Sequence, residues 1–322
     1  MGTALLFDRK NVEAVDDWEA AVASLHRSSI LWIDLDGVDE RLVRELVDSL
    51  GLTPESRERL ASRNGKPVFG DFERYLHVTV FAPAARERAD TLVRVDCLVS
   101  KQWVVTVHDE PVPVIEEFQQ RAEGSSGDTG KLDGLEFLAT LLDWVLNSYL
   151  EAFDAVEDRL REFDTRAMEG HLDKLDDELR GLVELRAEVG TLRRALVSHR
   201  EPFLALTRPE LADIASSAHA ERFGALRARL EDAVQGARDC RDAIVGSFDV
   251  LIARTEQRTN EIVKVLTLVS VLLLPGAVLA GVLGMNFKVG FFDNPAYFWV
   301  VVAVIVAFVV ATLVAARVRR WI

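Results

Sequence analysis

Two long uncharged segments stand out in the C-terminal quarter of the chain. Residues 265–283 form a run of 19 residues without a charge, and residues 294–316 form a second run of 23. As α-helices each would be about 30 Å long, enough to cross the hydrocarbon core of a bilayer. We therefore predict two transmembrane helices. Because the connection between them is only about ten residues long, they must form an antiparallel hairpin.

The first third of the chain has a different pattern. Short runs of β-branched and aromatic residues predict strands, and segments with apolar residues at i, i+3 and i+4 predict short helices between them. The predicted strands lie near residues 30–36, 75–81, 92–99 and 103–108, and the predicted helices at residues 40–50 and 54–62. This alternation is typical of an α/β domain.

Beyond residue 131 the pattern becomes helical. Residues 151–196 are heavily charged with apolar residues at helical spacing, which predicts an antiparallel helix pair with a turn near Gly170. No proline occurs between Pro209 and Pro275. One helix of about 65 residues, a stalk running into the first span, would explain this interval. We therefore predict an α+β membrane protein. Its parts are an α/β domain (1–130), a helical region with the stalk (131–262), a first span (263–287), an external loop (288–294), a second span (295–317) and a basic tail (318–322).

Composition and charge agree with this division. The chain is 49% apolar and 28% charged, and the two classes are segregated along the sequence. The formal net charge is −14, and residues 259–322 contribute +3, which leaves −17 for residues 1–258. Such an acidic body repels a phosphate backbone and attracts divalent cations, so we expect no nucleic-acid partner. The two cysteines, Cys97 and Cys240, have no metal-binding spacing and are expected to be buried thiols.

The basic residues around the spans predict the orientation. Arg317, Arg319 and Arg320 follow the second span, Arg258 and Lys264 precede the first, and only Lys288 lies in the loop. Positive residues favour the cytoplasmic side. Both termini are therefore expected in the cytoplasm, with the hairpin in the plasma membrane, which is the inner membrane in a cell with two. The first ten residues lack an apolar core of signal-peptide length, as expected for a domain that is not exported.

Two helices cannot enclose a water-filled path, because their facing side chains fill the gap between them. A pore would need several copies arranged around an axis. The first span is the better candidate for the inner position because it holds small and polar residues, whereas the second is almost entirely Val, Ala, Ile and Phe. The small and polar positions of the first span are Thr267, Ser270, Gly276, Ala277, Ala280, Gly281 and Gly284.

A short signature ends the first span: Gly284-Met285-Asn286, followed by Phe287. With this signature on the outer loop of two C-terminal spans, the chain resembles the CorA-type divalent cation transport family. The segment from Asn260 to Thr267, the Leu274-Pro275 pair and the terminal Arg319-Arg320-Trp321 are also similar to that family. The likeness covers about the last 75 residues closely and the remainder in architecture only.

The resemblance implies a homopentameric funnel with an α/β cytoplasmic domain, long stalk helices and a pore formed by the first span. It implies a transporter of Mg²⁺, with Co²⁺ or Ni²⁺ as further cargo, that is gated by cytosolic Mg²⁺. It implies no enzyme activity and no cofactor.

The chemistry of Asn286 fits such a pore. Mg²⁺ gives up its water reluctantly, so a fast pore should bind the hydrated ion. A ring of Asn286 carboxamides would accept hydrogen bonds from the ion's water shell, an outer-sphere site that holds the cation less tightly than carboxylates would. Gly284 is expected to give the backbone freedom to turn at the helix end. The alternative role for Asn286 is a helix C-cap.

Counting back from Gly281 in steps of three and four defines one stripe on the first span and the stalk, with either Leu266 or Thr267 at one position. In the family the matching positions line the pore, and Asp249 matches an acidic ring at the cytoplasmic entrance. Val263, Leu266 and Leu274 could close the pore by dewetting, or serve only in helix packing. The predicted pore-lining residues are Asn260, Val263, Leu266, Ser270, Leu274, Ala277 and Gly281, with Asp249 and Glu256 at the entrance.

Two regions depart from the family pattern. The external loop has Lys288 and a single carboxylate, Asp293, where relatives often carry an acidic segment. The position that aligns with one regulatory acidic residue of the family is Ala225. Its acidic neighbours Glu221, Glu231 and Asp232 could substitute, or could be solvated helix charges, and no regulatory site is predicted from them.

Two other functions remain open from the sequence. One is a proton-coupled zinc transporter of the ZntB-like branch, although the six histidines are scattered outside the spans and no acidic residue lies within them. The other is a membrane-anchored enzyme or sensor, whose best residues would be His108, Asp109 and Glu110 at a strand end. Three polar residues before a proline are more often a strand-to-helix turn, and no Ser or Cys nucleophile pattern or zinc spacing accompanies them.

Overall fold

The computed structural model describes residues 2–8, 11–23, 25–26, 29–37, 40–62, 65–85, 91–124, 133–168, 175–208, 217–285 and 295–318. The chain divides into two compact units, Met1–Phe248 and Asp249–Ile322. The boundary predicted at residue 130 therefore marks a change of secondary structure rather than the limit of a compact unit, because the helices that follow it pack on the sheet.

A seven-stranded sheet forms the centre of the first unit. Its spatial order is β2-β1-β3-β7-β6-β5-β4, and β3 and β7 form the parallel pair while the other neighbours are antiparallel. The strands are β1 (Gly2–Asp8), β2 (Asn11–Ala14), β3 (Ile30–Asp36), β4 (Phe69–Asp71), β5 (Leu76–Pro83), β6 (Leu92–Val99) and β7 (Trp103–His108).

Helices cover both faces of this sheet, which explains why its central strands are buried along almost their whole length. On one face Leu31, Ile33 and Val105 join the core formed with the helices after β2 and β3. On the other face the Trp32 ring lies 5.4 Å from Phe118 and 5.2 Å from Phe137, centroid to centroid. The helices of this unit are α1 (Trp18–Ala23), α2 (Glu40–Leu50), α3 (Pro54–Ala61), α4 (Pro113–Gly124), α5 (Gly134–Met168), α6 (Leu175–Ser198), α7 (Arg200–Ala205) and the first part of α8 (Ser217–Leu283).

Local chemistry explains where α2 ends and α3 begins. Gly51 adopts a left-handed φ of 64°, a conformation that costs glycine little and stops α2 after Leu50. Thr53 then caps α3, its side-chain oxygen accepting a hydrogen bond from the Ser56 backbone N–H, and Pro54 occupies the first helical turn.

The α/β prediction is confirmed, and β3, β6, β7 and α2 have the predicted bounds. The strands β1, β2 and β4, which lie toward the edges of the sheet, and the short helix α1 were not predicted. The predicted helix pair is present as α5 and α6, while its turn near Gly170 lies outside the described residues. Cys97 and Cys240 are buried and free, as expected.

Helix α5 connects the sheet to α8. It packs against β5, β6 and β7, and its N-terminal half forms ion pairs with α8 at a constant spacing. His219 Nε2 lies 3.0 Å from Asp133, Arg222 Nε lies 3.0 Å from Glu136, and Arg229 pairs with Asp143. Each of these α8 residues follows its acidic partner by the same number of residues, so the two helices run parallel and in register.

The second unit contains the end of α8 and the helix α9 (Pro295–Val318). Among the described residues, two helical segments are long and apolar enough to cross a membrane, Ala218–Val282 and Phe298–Val318, and their most apolar windows have no buried residues. Their positions agree with the two predicted spans.

Candidate ion pathway

The predicted stalk and first span form one continuous helix. Helix α8 has 67 residues and continues through Pro275 to Leu283. A proline inside a helix removes one backbone hydrogen bond, and membrane helices tolerate this where neighbouring groups compensate. The predicted uninterrupted helix is therefore confirmed, and it extends about two turns beyond the proline.

The predicted pore residues in the second unit lie on one side of α8. At 3.6 residues per turn, the stripe from Asp249 through Glu256 to Gly281 occupies about 120° of the helix circumference. Every member of this stripe from Asn260 to Gly281 is exposed in the single chain, and Leu266 and Leu274 are each 64% exposed. Large apolar side chains at this exposure require lipid or another copy of the chain to cover them.

Helix α9 contacts the opposite side of α8. A Cβ atom on Gly276 would lie 3.9 Å from Cγ2 of Ile305, and the neighbouring half-buried positions of α8 are Leu268, Leu272 and Pro275. These positions are centred about 170° from the centre of the stripe. The half-buried or buried residues of α9 also share one face, namely Val301, Val302, Ile305, Val309, Thr312 and Ala316. The predicted pore face therefore lies within the part of α8 that α9 leaves uncovered.

Two hydroxyl groups lie on the uncovered face. The Ser270 hydroxyl donates to the Leu266 carbonyl at 2.8 Å, and the Thr267 hydroxyl donates to the Val263 carbonyl at 2.7 Å. Because each hydroxyl hydrogen is used within the helix, the oxygen presents its remaining lone pairs as an acceptor. An acceptor suits a cation's water molecules, whose hydrogens point away from the ion.

The first two residues of the signature continue the hydrogen bonding of α8 beyond Leu283. The Gly284 N–H donates to the Ala280 carbonyl at 2.9 Å, and the Met285 N–H donates to Val282 at 3.3 Å. Gly284 does not adopt a left-handed φ. A Cβ at this position would lie 3.1 Å from the Ala280 carbonyl oxygen, closer than most such contacts. The turn expected at Gly284 is therefore not a left-handed one, and a side chain here would be in tight contact with the preceding turn of α8. The other predicted residues of this region, Asn286, Lys288 and Asp293, lie outside the described residues.

One residue near the cytoplasmic entrance was missed by the sequence analysis. Ile252 lies between Asp249 and Glu256 on the same stripe and is 55% exposed, whereas Leu251 beside it is 2% exposed. Extending the stripe by steps of three and four would have included Ile252. The predicted entrance therefore alternates acidic and apolar side chains.

The acidic neighbours of Ala225 do not form a metal site in the structure. The Arg200 guanidinium binds Glu231, with Nε 2.9 Å from Oε1. Among the residues that the structure describes, no group of three or more His, Cys, Asp or Glu side chains is arranged to hold a metal ion.

His108, the best candidate for an enzyme or sensor, is held in an ion pair. Its Nε2 lies 3.3 Å from Asp34, and its Nδ1 lies 2.7 Å from the Glu110 carbonyl oxygen. Burial alone would lower the pKa of His108, but the hydrogen bond and charge of Asp34 and the Glu110 carbonyl raise it above its ordinary value. With both ring nitrogens donating, this side chain is a poor general base.

A second cluster, beneath α3, has the composition of a catalytic triad but no access to solvent. His77 Nδ1 lies 3.3 Å from the Ser56 hydroxyl, and His77 Nε2 lies 3.1 Å from Asp96. Ser56 and His77 are 0% exposed, and Asp96 is 4% exposed. Burial tends to raise the pKa of Asp96, but His77, Arg94 and Thr79 together bring it below its ordinary value. The cluster is a buried, ionised network that stabilises the sheet.

The family model of the CorA-like Mg²⁺ transporter proteins matches residues 27–320, which is most of the chain. The chain belongs to this family. It is therefore a divalent cation transporter of the membrane and not an enzyme, so the anchored-enzyme alternative is set aside.

Individual relatives support the same assignment. The chain is 22% identical over 316 residues to the cobalt/magnesium transport protein CorA of Thermotoga maritima, covering 95% of this chain and 87% of that protein. The complete structure of the CorA magnesium transporter from Methanocaldococcus jannaschii superposes with a TM-score of 0.81 at 19% identity, covering 100% of this chain and 99% of that one. This match confirms the architecture of α/β domain, long helix and two C-terminal apolar helices.

The fold alone does not select the ion. The cytoplasmic domain of ZntB from Vibrio parahaemolyticus superposes with a TM-score of 0.61 at 11% identity, covering 80% of this chain and all of that domain.

Proposed function

We propose that five copies of this chain assemble around α8 into a pore that passes hydrated Mg²⁺ into the cytoplasm. The observation that carries the proposal is the position of α9, which contacts α8 at Gly276 and leaves the stripe from Asn260 to Gly281 uncovered. A ring of such hairpins would place α8 at the axis and α9 toward lipid. Cyclic symmetry would then cover the exposed leucines of the stripe.

The membrane part of the stripe favours passage without tight binding. It contains no charged side chain, so a dication meets acceptor oxygens such as the Ser270 hydroxyl rather than carboxylates. Val263, Leu266 and Leu274 would form apolar rings that close the path by dewetting. Inward movement gains about 2.3 kcal/mol per charge for each 100 mV, so the membrane potential can drive transport.

The collar of Asn286 carboxamides is the proposed selectivity element. Gly284 and Met285 continue α8 up to this residue, so five asparagines would follow the ends of five helices around one axis. Amide oxygens would bind the water shell of Mg²⁺ and release it readily. Lys288 and Asp293 would modify ion capture at the mouth. The names of the curated relatives from T. maritima and M. jannaschii include cobalt, which supports Co²⁺ as a second cargo, and Ni²⁺ would follow the same chemistry.

The proposed membrane is the plasma membrane, with both termini in the cytoplasm. Arg258 and Lys264 precede the first span, where α8 is continuous with the first unit, and Arg317 follows the second span, as the positive-inside rule requires. Cytosolic Mg²⁺ is the proposed regulatory ion. The charge of −17 on residues 1–258 supports this role, because a divalent cation between acidic subunits would reduce their mutual repulsion.

Uptake into vesicles tests the function. The full chain is reconstituted with an inside-negative potential, and an enclosed dye reports Mg²⁺. We expect Asn286→Ala to reduce the initial rate to near background, because the outer-sphere ligands at the mouth are lost. Asn294→Ala, an amide in the same loop that the stripe does not include, is the matched control and should keep the wild-type rate. Equal rates for wild type and Asn286→Ala, with the oligomer intact, would contradict the proposed collar.

The same vesicles separate the magnesium and zinc hypotheses. With the potential clamped, Mg²⁺ and Zn²⁺ uptake are each measured with and without a pH gradient. Magnesium uptake that depends on the membrane potential and is unaffected by the pH gradient supports the proposed magnesium channel. Zinc uptake that requires the proton gradient, without magnesium uptake, would replace it with the ZntB-like alternative.

A further inference from the structure

Three cationic side chains lie together at one end of the hairpin. Lys264 directly precedes the first uncharged run, and Arg317 directly follows the second. Each lies 12 residues from the contact between Gly276 and Ile305, so both are about 18 Å from that contact along their helices and at the same depth. Arg258 lies about 9 Å beyond Lys264 on α8. We call Arg258, Lys264 and Arg317 the basic corner.

The basic corner lies on the side of the hairpin away from the proposed axis. Lys264 is about 100° and Arg258 about 140° from the centre of the pore stripe around α8. Both flank the side on which α9 contacts α8 through Leu268 and Leu272. The corner is therefore directed toward the surrounding bilayer, where α9 ends and α8 continues.

The charge of the corner is positive and accessible. Arg258, Lys264 and Arg317 are all exposed. Within residues 258–283 and 295–318 the sequence has one carboxylate, Glu261, which accepts a hydrogen bond from Gln257 Nε2 at 3.2 Å. Three cations against one carboxylate leave an excess of positive charge at the edge of the hydrocarbon core, where lipid phosphates lie.

We propose that the basic corner binds the phosphate of an anionic phospholipid headgroup. Lys264 and Arg317 would contact the phosphate from two helices at one depth, and the long side chain of Arg258 would reach the headgroup layer from below. A bound lipid of this kind would stabilise the orientation of α9 on α8. The inference rests on the proposed insertion of the hairpin into the membrane but not on the identity of the transported ion.

Lipid-dependent thermal unfolding of the full chain tests this proposal. The protein in detergent is titrated with phosphatidylglycerol or phosphatidylcholine, and the shift of the unfolding midpoint gives an apparent dissociation constant. We expect phosphatidylglycerol to stabilise the wild type more than phosphatidylcholine, and salt to weaken the difference. Removing a cation, as in Lys264→Gln, Arg258→Gln or Arg317→Gln, should weaken phosphatidylglycerol binding about fivefold for each substitution.

Two controls address position and folding. Arg254→Gln removes a cation from the same helix about 15 Å from Lys264, too deep in the cytoplasm to reach the headgroups, and should leave the lipid preference unchanged. A variant that keeps all three charges, with Lys264→Arg, Arg258→Lys and Arg317→Lys combined, should retain the preference for phosphatidylglycerol. It tests the proposal even if a glutamine variant fails to fold. Arg319 and Arg320 are unchanged in every variant.

Three results would overturn the proposal. These are equal stabilisation by the two lipids, an undiminished preference in the folded glutamine variants, and equal stabilisation by soluble glycerophosphate. Magnesium uptake measured in pure phosphatidylcholine vesicles separates failure of the lipid proposal from failure of the proposed function. If these vesicles transport magnesium and unfolding shows no lipid preference, only the lipid proposal is rejected.

Discussion

In residues 2–248 the buried polar groups described above have partners, whereas in residues 249–318 many large apolar side chains are exposed. Asp96 is 4% exposed and accepts hydrogen bonds from Thr79 and Arg94, with His77 in contact. In the second unit, by contrast, Leu274 is 64% exposed and Trp299 is 69% exposed. The first unit completes its own core in water. The second unit must obtain from a bilayer, or from further copies of the chain, the burial that two helices cannot supply.

The difference also separates structural polar residues from candidate functional ones. In the first unit, His108, His77 and Asp96 are sealed into networks that stabilise the sheet. In the second, the polar residues of the stripe, such as Asn260 and Ser270, stand on an open face. The exposure of a residue in the single chain therefore indicates a functional role only when the face of α8 that α9 covers is also known.

The largest expected effect on stability concerns Asp96. Replacing Asp96 with Ala leaves His77 and Arg94 buried without their anionic partner, and removing one member of such a pair typically costs about 3–5 kcal/mol. Thermal unfolding of the full chain in detergent, followed by circular dichroism, measures the loss. Asp109→Asn, at an exposed position, is the control and should unfold as the wild type does. A loss below about 1 kcal/mol for Asp96→Ala would show that the first unit does not depend on this network.

A pH-dependent effect of slightly smaller size is expected from His199. Its Nε2 accepts a hydrogen bond from the Phe81 N–H at 2.8 Å, and burial lowers its pKa from 6.5 to about 4. Because the unfolded chain binds this proton first, the stabilisation is complete above pH 6.5 and is lost as the pH falls toward 4, by about 3 kcal/mol. Unfolding of the full chain between about pH 7 and pH 4 measures the slope.

A substitution isolates this contribution from the other acid-sensitive groups. Glutamine at position 199 can still accept a hydrogen bond but does not titrate in this range. His199→Gln should therefore reduce the slope of stability against pH, while His219→Gln, at a half-buried ion pair on α8, serves as a second histidine for comparison. An unchanged slope in His199→Gln would mean that this histidine binds its proton equally in the folded and unfolded chain.

The parts of both units that have a strong periodic sequence pattern were predicted, and the parts without one were not. The strands β3, β6 and β7 and the helix α2 have strong local patterns, and the spans are recognisable from length and lack of charge. The stripe on α8 followed from helical spacing together with the resemblance to the family. The network of His77 and Asp96 did not, because their contact is created by the antiparallel register of β5 and β6. The sequence could not predict where α9 contacts α8 either, because a uniformly apolar helix has no pattern that selects one face.

A smaller effect on stability, and the sharpest test of the two faces of α8, comes from a pair of glycines. A Cβ on Gly276 would lie 3.9 Å from Ile305, so Gly276→Leu should overpack the hairpin and destabilise it by about 1–3 kcal/mol. A Cβ on Gly281 would meet no atom within 4 Å in the single chain, so Gly281→Leu should leave the hairpin stable. In the proposed ring, however, five leucines at position 281 would fill the axis and abolish magnesium uptake. Thermal unfolding and vesicle uptake, measured on both variants, should therefore give opposite patterns. Normal uptake by a stable Gly281→Leu protein would place the pore on another face of α8.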